Sequence, residues 1–198
     1  MIKFINPIKE EPYLVFKEKY DEAKIAVQPE IQAVSISSFN KDKNQVDARY
    51  VNLKFIHEDK FIFFTNYNSP KSIAFESNNQ IAALFYWSST NIQIRMRAKI
   101  FKTTNKFNEE YFKNRSLEKN ALAISSNQSK SIASYEKVVE NYNKIIKSND
   151  LKKCPDYWGG YYFIPNYFEF WTGNDSRINK RNAFKKVDHK WQKFFLEP

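Results

Sequence analysis

Between Ile92 and Phe101 the chain alternates without a break, and this stretch constrains the fold more than any other. Ile92, Ile94, Met96, Ala98 and Ile100 take one phase of a period-two pattern, and Gln93, Arg95, Arg97 and Lys99 take the other. Successive side chains of a strand point to opposite faces, so a strand here buries one set and exposes the other. Neighbouring segments read the same way. Gln32 to Phe39, Ala48 to Ile56 and Phe61 to Thr65 read as strands, and the short apolar run Ile81 to Trp87 reads as a buried one. The polar stretch Asn40 to Asp47 predicts a loop or hairpin turn, and His57 to Lys60 a turn.

Helical patterning lies around this block. Residues 10–26 carry a rough stripe of Leu14, Phe16, Tyr20, Ala23 and Ile25 among charges. Ser69 opens a short helix to Ser77, where its hydroxyl is expected to cap a first-turn amide. Residues 106–150 read as helical, with breaks near Arg115 and Gln128. Strands return at Tyr161 to Ile164, Tyr167 to Trp171 and Arg181 to Val187. The order is strands, then helices, then strands. That order excludes repeated βαβ units and favours an antiparallel sheet or barrel with helices packed outside, an α+β fold that is mainly β. No linker or repeat interrupts it, so residues 1–198 are expected to form one domain.

Composition narrows the chemistry. Aromatic residues make up 17% of the chain, enough ring area to offset the entropy of ordering it. Three glycines, Gly159, Gly160 and Gly173, cannot supply a Walker A loop or a G-x-G-x-x-G turn. Two unrelated histidines and a single cysteine argue against a Cys/His zinc site, and no metal is expected. The lone Cys154 fits a reducing compartment, and no signal-like or membrane-spanning apolar run is present, so cytoplasm is the expected location. The net charge of +10 is spread along the chain without a block of five basic residues, so a nucleic-acid partner is not expected.

Four stretches carry candidate chemistry. Arg49 to Lys54 brackets a strand with two cations. Their odd spacing sends them to opposite faces, as two surface charges, unless a bulge or strand end intervenes. Phe63-Phe64-Thr65-Asn66 followed by Ser69-Pro70-Lys71 offers a strand end, a helix start and a lysine, which together suit a phosphate. Tyr111, Arg115 and Lys119 are spaced by four and would share one face of a single helix, as a phosphate site or a solvated stripe. Glu169-Phe170-Trp171 leads to Arg177-Ile178-Asn179-Lys180-Arg181, where alternation would set Arg177, Asn179 and Arg181 together, gripping an anion or forming an ion-pair edge.

In order, R-x-V-x-L-K, F-F-T-N, S-x-K, Q-x-R, Y-F-x-x-R, Q-S, W-G-G, E-F-W and R-x-x-x-R resemble the pyridoxamine 5'-phosphate oxidase family. The resemblance runs over roughly residues 20–198, to the terminal Trp191 and Leu196-Glu197-Pro198. It implies a homodimeric split β-barrel with flanking helices, an N-terminal helical segment (1–26), C-terminal dimerisation and active-site strands (157–198), and FMN at the subunit interface. The cofactor contacts it implies are Arg49, Val51, Lys54, Thr65, Lys71, Gln93, Gln128, Ser129, Trp171 and Arg181. Arg49 and Lys71 would take the FMN phosphate. Lys54, Tyr111, Arg115 and Lys119 would take the substrate phosphate, and Arg177 and Asn179 would meet the substrate as catalytic residues.

The implied reaction oxidises pyridoxamine or pyridoxine 5'-phosphate to pyridoxal 5'-phosphate with O2. Five positions depart from the family pattern. Pro70 replaces a phosphate-binding arginine, Phe64 a tyrosine, Ser116 a proline, Lys119 a serine and Asn179 a histidine. Asparagine can hydrogen-bond there but cannot titrate. These departures keep two alternatives open: a related flavin oxidase acting on a phenazine-type ring, and a non-catalytic binder of FMN or pyridoxal phosphate.

Overall fold

The computed structural model describes residues 1–147 and 150–198. Among them are ten strands in one mixed sheet and five α-helices. The strands are β1 (Lys3–Ile5), β2 (Ala33–Asn40), β3 (Gln45–Asn52), β4 (Phe55–His57), β5 (Lys60–Asn66), β6 (Gln80–Trp87), β7 (Ile92–Lys102), β8 (Trp158–Thr172), β9 (Lys180–Val187) and β10 (Lys190–Phe195). The helices are α1 (Glu11–Ile25), α2 (Pro70–Ser77), α3 (Asn105–Lys113), α4 (Leu117–Ser125) and α5 (Tyr135–Ile145). The sheet runs β1-β4-β5-β8-β7-β6-β2-β3, with β9 added to β8 and β10 to β9. Of the pairings, β1 with β4 is parallel and the others are antiparallel, so the sheet is mixed.

The alternation in β7 is realised residue by residue. Ile92, Ile94, Met96, Ala98 and Ile100 are buried, while Arg95, Arg97 and Lys99 are exposed. The buried face belongs to the same core cluster as α1, whose inward stripe is Tyr13, Phe16, Tyr20 and Ala23. Phe16 sits edge-on to Phe61 at 5.2 Å and to Phe85 at 5.5 Å, and Tyr13 edge-on to Phe168 at 5.2 Å. Each such pair adds about 1 kcal/mol beyond area burial. Two residues of the expected stripe point outward instead: Leu14 is 52% exposed and Ile25 83%. Spacing from Phe16 explains this, because the rows at i±3 and i±4 lead to Tyr13, Tyr20 and Ala23.

Strand β8 is the spine of the sheet. Two expected strands, Tyr161 to Ile164 and Tyr167 to Trp171, are one strand of 15 residues. Its register against β7 shifts between Arg97 and Ala98, where Tyr167 and Pro165 are the partners and Asn166 is extra. Proline lacks the amide a ladder needs, and a bulge accommodates it. The first half of β8 pairs with β5 and the second half with β9. The two ends of β8 therefore serve different neighbourhoods.

Other boundaries also differ from expectation. The segment Ala48 to Ile56 is broken at Leu53-Lys54, between β3 and β4. The loop Asn40 to Asp47 shrinks to Lys41 to Asn44, because β2 and β3 extend as an exposed hairpin closed by Asn44 at φ 50°. Strand β1 has no counterpart in the sequence reading, and β10 lies within the C-terminal strands (157–198) that the resemblance implied without being picked out by its own pattern. No helix among the described residues is long and apolar enough to cross a membrane.

Candidate active site: a cationic cleft and a separate strand-end cluster

The break after β3 decides where the cations go. The β3 strand ends at Asn52, and Lys54 then bonds its backbone amide to Ile62 O at 2.8 Å. The change of direction brings Arg49 and Lys54 to one cleft of about 850 Å³, despite their odd spacing. Val51, Thr65, Lys71, Tyr111, Arg115, Lys119, Gln128 and Ser129 line the same cleft. Ten of the sequence-derived site residues therefore converge.

The cations form two groups. Arg49 donates to Ser38 Oγ at 2.8 Å and Ile36 O at 3.2 Å, and pairs with Asp47 at 3.5 Å. Lys71 is 6% exposed and donates to Ser69 Oγ at 3.1 Å. Burial, reinforced by Arg49, pulls the Lys71 ammonium down to about 8. The Ser69 hydroxyl is engaged with Lys71 and with Ser72 Oγ at 3.0 Å, so it does not cap an amide of α2 as expected. Pro70 still opens the helix with a preset φ.

At the other group, burial lowers the Lys54 ammonium and the charges of Lys119 and Arg115 add to it. Burial also lowers Arg115, whose Nη1 is buried without a hydrogen-bond partner. An orphaned guanidinium nitrogen in a cleft of like charges has a hydrogen bond to give to an acceptor and would favour an anionic one. Its guanidinium lies 4.6 Å from the Trp158 ring.

Tyr111, Arg115 and Lys119 do not share one helix. Tyr111 lies in α3, Lys119 in α4, and Arg115 in the break between them. The break does the work expected of the spacing, since all three still reach the cleft. Asn108, 3% exposed, anchors α3. Its Nδ2 donates to Tyr67 Oη at 3.0 Å, and its Oδ1 accepts from the Gly160 amide at 2.9 Å. A Cβ at Gly159 would strike Tyr67 Oη and Asn108 Nδ2, and one at Gly160 would lie 2.6 Å from Thr103 Oγ1. Close approach, rather than unusual backbone angles, is why W-G-G opens β8.

That approach builds an aromatic wall the sequence reading did not assign. Phe64 stacks on Tyr111 with centroids 3.8 Å apart and on Trp158 at 5.2 Å. The pairing of Asn66 with Trp158 sets this register. Phe64 and Trp158 both sat in recognised motifs, and their alignment across β5 and β8 was the missing signal. Gln128 Oε1 accepts from Thr65 Oγ1 at 3.3 Å and the Asn66 amide at 3.2 Å, which ties the loop before α5 to the end of β5. Ser129 follows at φ 65°.

Five sequence-derived residues lie elsewhere. Gln93, Trp171 and Arg181 form one cross-strand row over β7, β8 and β9. Arg177 and Asn179 sit in the turn before β9, so they do not alternate with Arg181 along a strand as expected. Arg177 is exposed at φ 66°, and Asn179 Oδ1 accepts from the Asn174 amide at 3.0 Å. Trp158 and Trp171 lie near opposite ends of β8, and Trp158 lines the cleft while none of the three row residues does.

The family models match in two pieces. "Pyridoxamine 5'-phosphate oxidase" matches residues 20–144, and "Pyridoxine 5'-phosphate oxidase C-terminal dimerisation region" matches residues 158–198. The chain belongs to the pyridoxamine 5'-phosphate oxidase family. A pyridoxine/pyridoxamine 5'-phosphate oxidase of Coxiella burnetii is 34% identical over 191 residues, covering 95% of this chain and 96% of that protein. One of Leptospira interrogans is 31% identical, covering 95% and 89%. Among solved structures, PhzG from Burkholderia lata in complex with tetrahydrophenazine-1-carboxylic acid superposes with a TM-score of 0.90. It is 22% identical, and the match covers 96% of this chain and 93% of that one. A pyridoxamine 5'-phosphate oxidase-related, FMN binding protein from Nostoc punctiforme gives a TM-score of 0.78 at 10% identity, covering 96% and 99%. These two likenesses establish the fold, and family membership supports an oxidase.

Proposed function

We propose that the protein is a cytoplasmic, homodimeric FMN-dependent oxidase that converts pyridoxamine or pyridoxine 5'-phosphate to pyridoxal 5'-phosphate with O2. The observation that carries this reading is the pair of cation groups in one cleft. Arg49 with Lys71, and Lys54 with Arg115 and Lys119, suit two phosphates, one of the cofactor and one of the substrate. The buried Lys71 ammonium, which donates to Ser69 and pairs with no carboxylate among the described residues, and the orphaned Arg115 Nη1 fit anionic ligands.

On this reading Arg49, Val51, Lys54, Thr65, Lys71, Gln128 and Ser129 hold FMN from one protomer. Gln93, Trp171 and Arg181 come from its partner, in a split-barrel dimer with each chain as a single domain. The separation of the two sets along β8, and the dimerisation-region match over residues 158–198, support that arrangement. Bound FMN would supply the two-electron acceptor for the substrate C4′ carbon and pass the electrons to O2. The chain's part is to bind and orient. Lys54, Arg115 and Lys119 fix the substrate phosphate, with Tyr111 beside them. Arg177 and Asn179 meet the substrate ring. Asp47, the acidic residue lining the cleft among the described residues, pairs with Arg49, so positioning rather than proton transfer is the main contribution.

Asn179 favours a second reading. Its carbonyl is committed to the turn, and it cannot titrate as the family histidine can. With Lys119, it admits a related flavin oxidase on a phenazine-type ring, the class of ligand named in the PhzG structure.

The visible spectrum of purified protein, followed by anaerobic addition of pyridoxine 5'-phosphate, tests both readings. Flavin absorbance that bleaches, with peroxide on admitting air, is the expected result. Bleaching with a reduced phenazine precursor alone would favour the second reading. A yellow protein that binds without bleaching would make it a non-catalytic binder, and a protein unable to bind FMN would overturn the proposal.

A further inference from the structure

We propose that Glu169 is a positioning residue for the cofactor: it sets the Arg181 guanidinium, and through it the row of Gln93, Trp171 and Arg181. The inference rests on the FMN reading above, because Arg181 is a flavin contact only on that reading.

Glu169 lies on β8 with its side chain on the face opposite Phe168 and Phe170, which belong to the core. It is nevertheless 2% exposed. A buried carboxylate is costly unless it is paired and its lone pairs are filled. Here each oxygen has its own partners. Oε1 accepts from Arg181 Nε at 2.9 Å and Nη2 at 2.7 Å. Oε2 accepts from Arg95 Nη2 at 2.7 Å and Tyr167 Oη at 3.1 Å. Burial pushes the carboxyl upward, yet Arg181, Arg95 and Tyr167 outweigh it and hold the group below the usual range. It is a carboxylate at neutral pH.

The two arginines are held to different degrees. The Arg95 side chain is 54% exposed and makes one bond to Glu169, whereas that of Arg181 is 25% exposed. Arg181 also donates from Nη1 to Glu197 O at 2.7 Å. All three of its nitrogens are thus fixed within the protomer. A side chain with four rotatable bonds is frozen before any ligand arrives, which removes an ordering cost from binding. Apolar residues can replace buried ion pairs without loss of stability, so stability alone does not call for this fork. A lysine could not be gripped through two nitrogens in this way.

Titration of FMN into apoprotein, read by quenching of flavin fluorescence, tests the assignment. Absence of binding by the wild type would overturn the flavin reading and this inference with it. If the wild type binds, E169Q is expected to weaken FMN binding at least tenfold, since it keeps the shape but turns an amide NH2 toward one guanidinium. In an R181A background, E169Q should change the Kd less than twofold. Unchanged binding by E169Q, or losses that add in the double variant, would overturn the positioning role and leave the flavin reading standing. Should E169Q not fold, R95Q/E169Q removes one cation with the carboxylate and keeps the local charge. It should show the same tenfold loss relative to R95Q. Failure of both to fold, with R181A folded, would make Glu169 a residue of the fold and overturn the proposal.

Discussion

The rings of Phe64 and Tyr111 stack with centroids 3.8 Å apart and planes 9° apart, joining β5 to α3 in one wall of the cleft. The contact couples the sheet to the helix that carries one wall of the proposed substrate site. Tyr111→Phe keeps the stack and removes the hydroxyl. It should raise the KM for pyridoxine 5'-phosphate several-fold with the melting temperature nearly unchanged. Phe64→Ala should raise the KM and also cost about 3 kcal/mol, since the whole ring and its contacts are lost, as read by urea denaturation.

Lys71 gives a pH dependence with a definite sign. Its ammonium titrates near 8 in the ligand-free fold, below the ordinary 10.5. Above 8 it loses the charge proposed to hold the FMN phosphate, so FMN affinity should fall as pH rises from 7.5 to 9.5. Lys71→Arg, which stays charged, should flatten that limb. Stability moves the other way. The unfolded chain binds the extra proton between about 8 and 10.5, so Lys71 disfavours the apo fold below 8 and this penalty is relieved as pH rises. FMN titrations and apoprotein melts across the same pH series check both signs.

Arg115 should show opposed effects on function and stability. Its Nη1 is buried without a partner beside Lys54 and Lys119. Arg115→Met keeps much of the side-chain volume against Trp158 and removes the charge. The variant should melt higher than wild type without ligand, while its substrate KM rises at least tenfold. Equal KM values would contradict the phosphate role.

Gly159 is required by crowding. Gly159→Ala places a methyl against Tyr67 Oη and Asn108 Nδ2, the contacts that anchor α3. A destabilisation of about 2 kcal/mol is expected. Chemical denaturation checks it, and a neutral result would mean that Tyr67 can yield.

The sequence was most legible where one period persisted. Ile92 to Ile100 announced β7 because alternation there is uninterrupted. The cleft was legible through the order of the motifs that hold Arg49, Lys71, Tyr111 and Arg115, and not through spacing, because breaks between elements after Asn52 and Lys113 bring these residues together. Four things were not legible, each for a physical reason. The inward face of α1 was misassigned at Leu14 and Ile25, because apolar character alone does not choose a face. The bulge at Asn166 made one strand look like two, since Pro165 reads as a terminator. Arg177 and Asn179 seemed to alternate with Arg181, but a left-handed Arg177 and the Asn179 bond to Asn174 make a turn of that stretch. The stack around Phe64 depends on register between distant strands, which no local pattern encodes.

Strand β8 carries Trp158 at one end and Trp171 at the other, and this separation has a genetic consequence. If each site draws one end from each subunit, damage at the two ends belongs to different sites when the subunits differ. A K71M chain and an R181A chain, each inactive as a homodimer, should complement when co-folded. The mixed dimer would hold one site with both lesions and one with neither, and would regain close to half of the wild-type turnover per dimer.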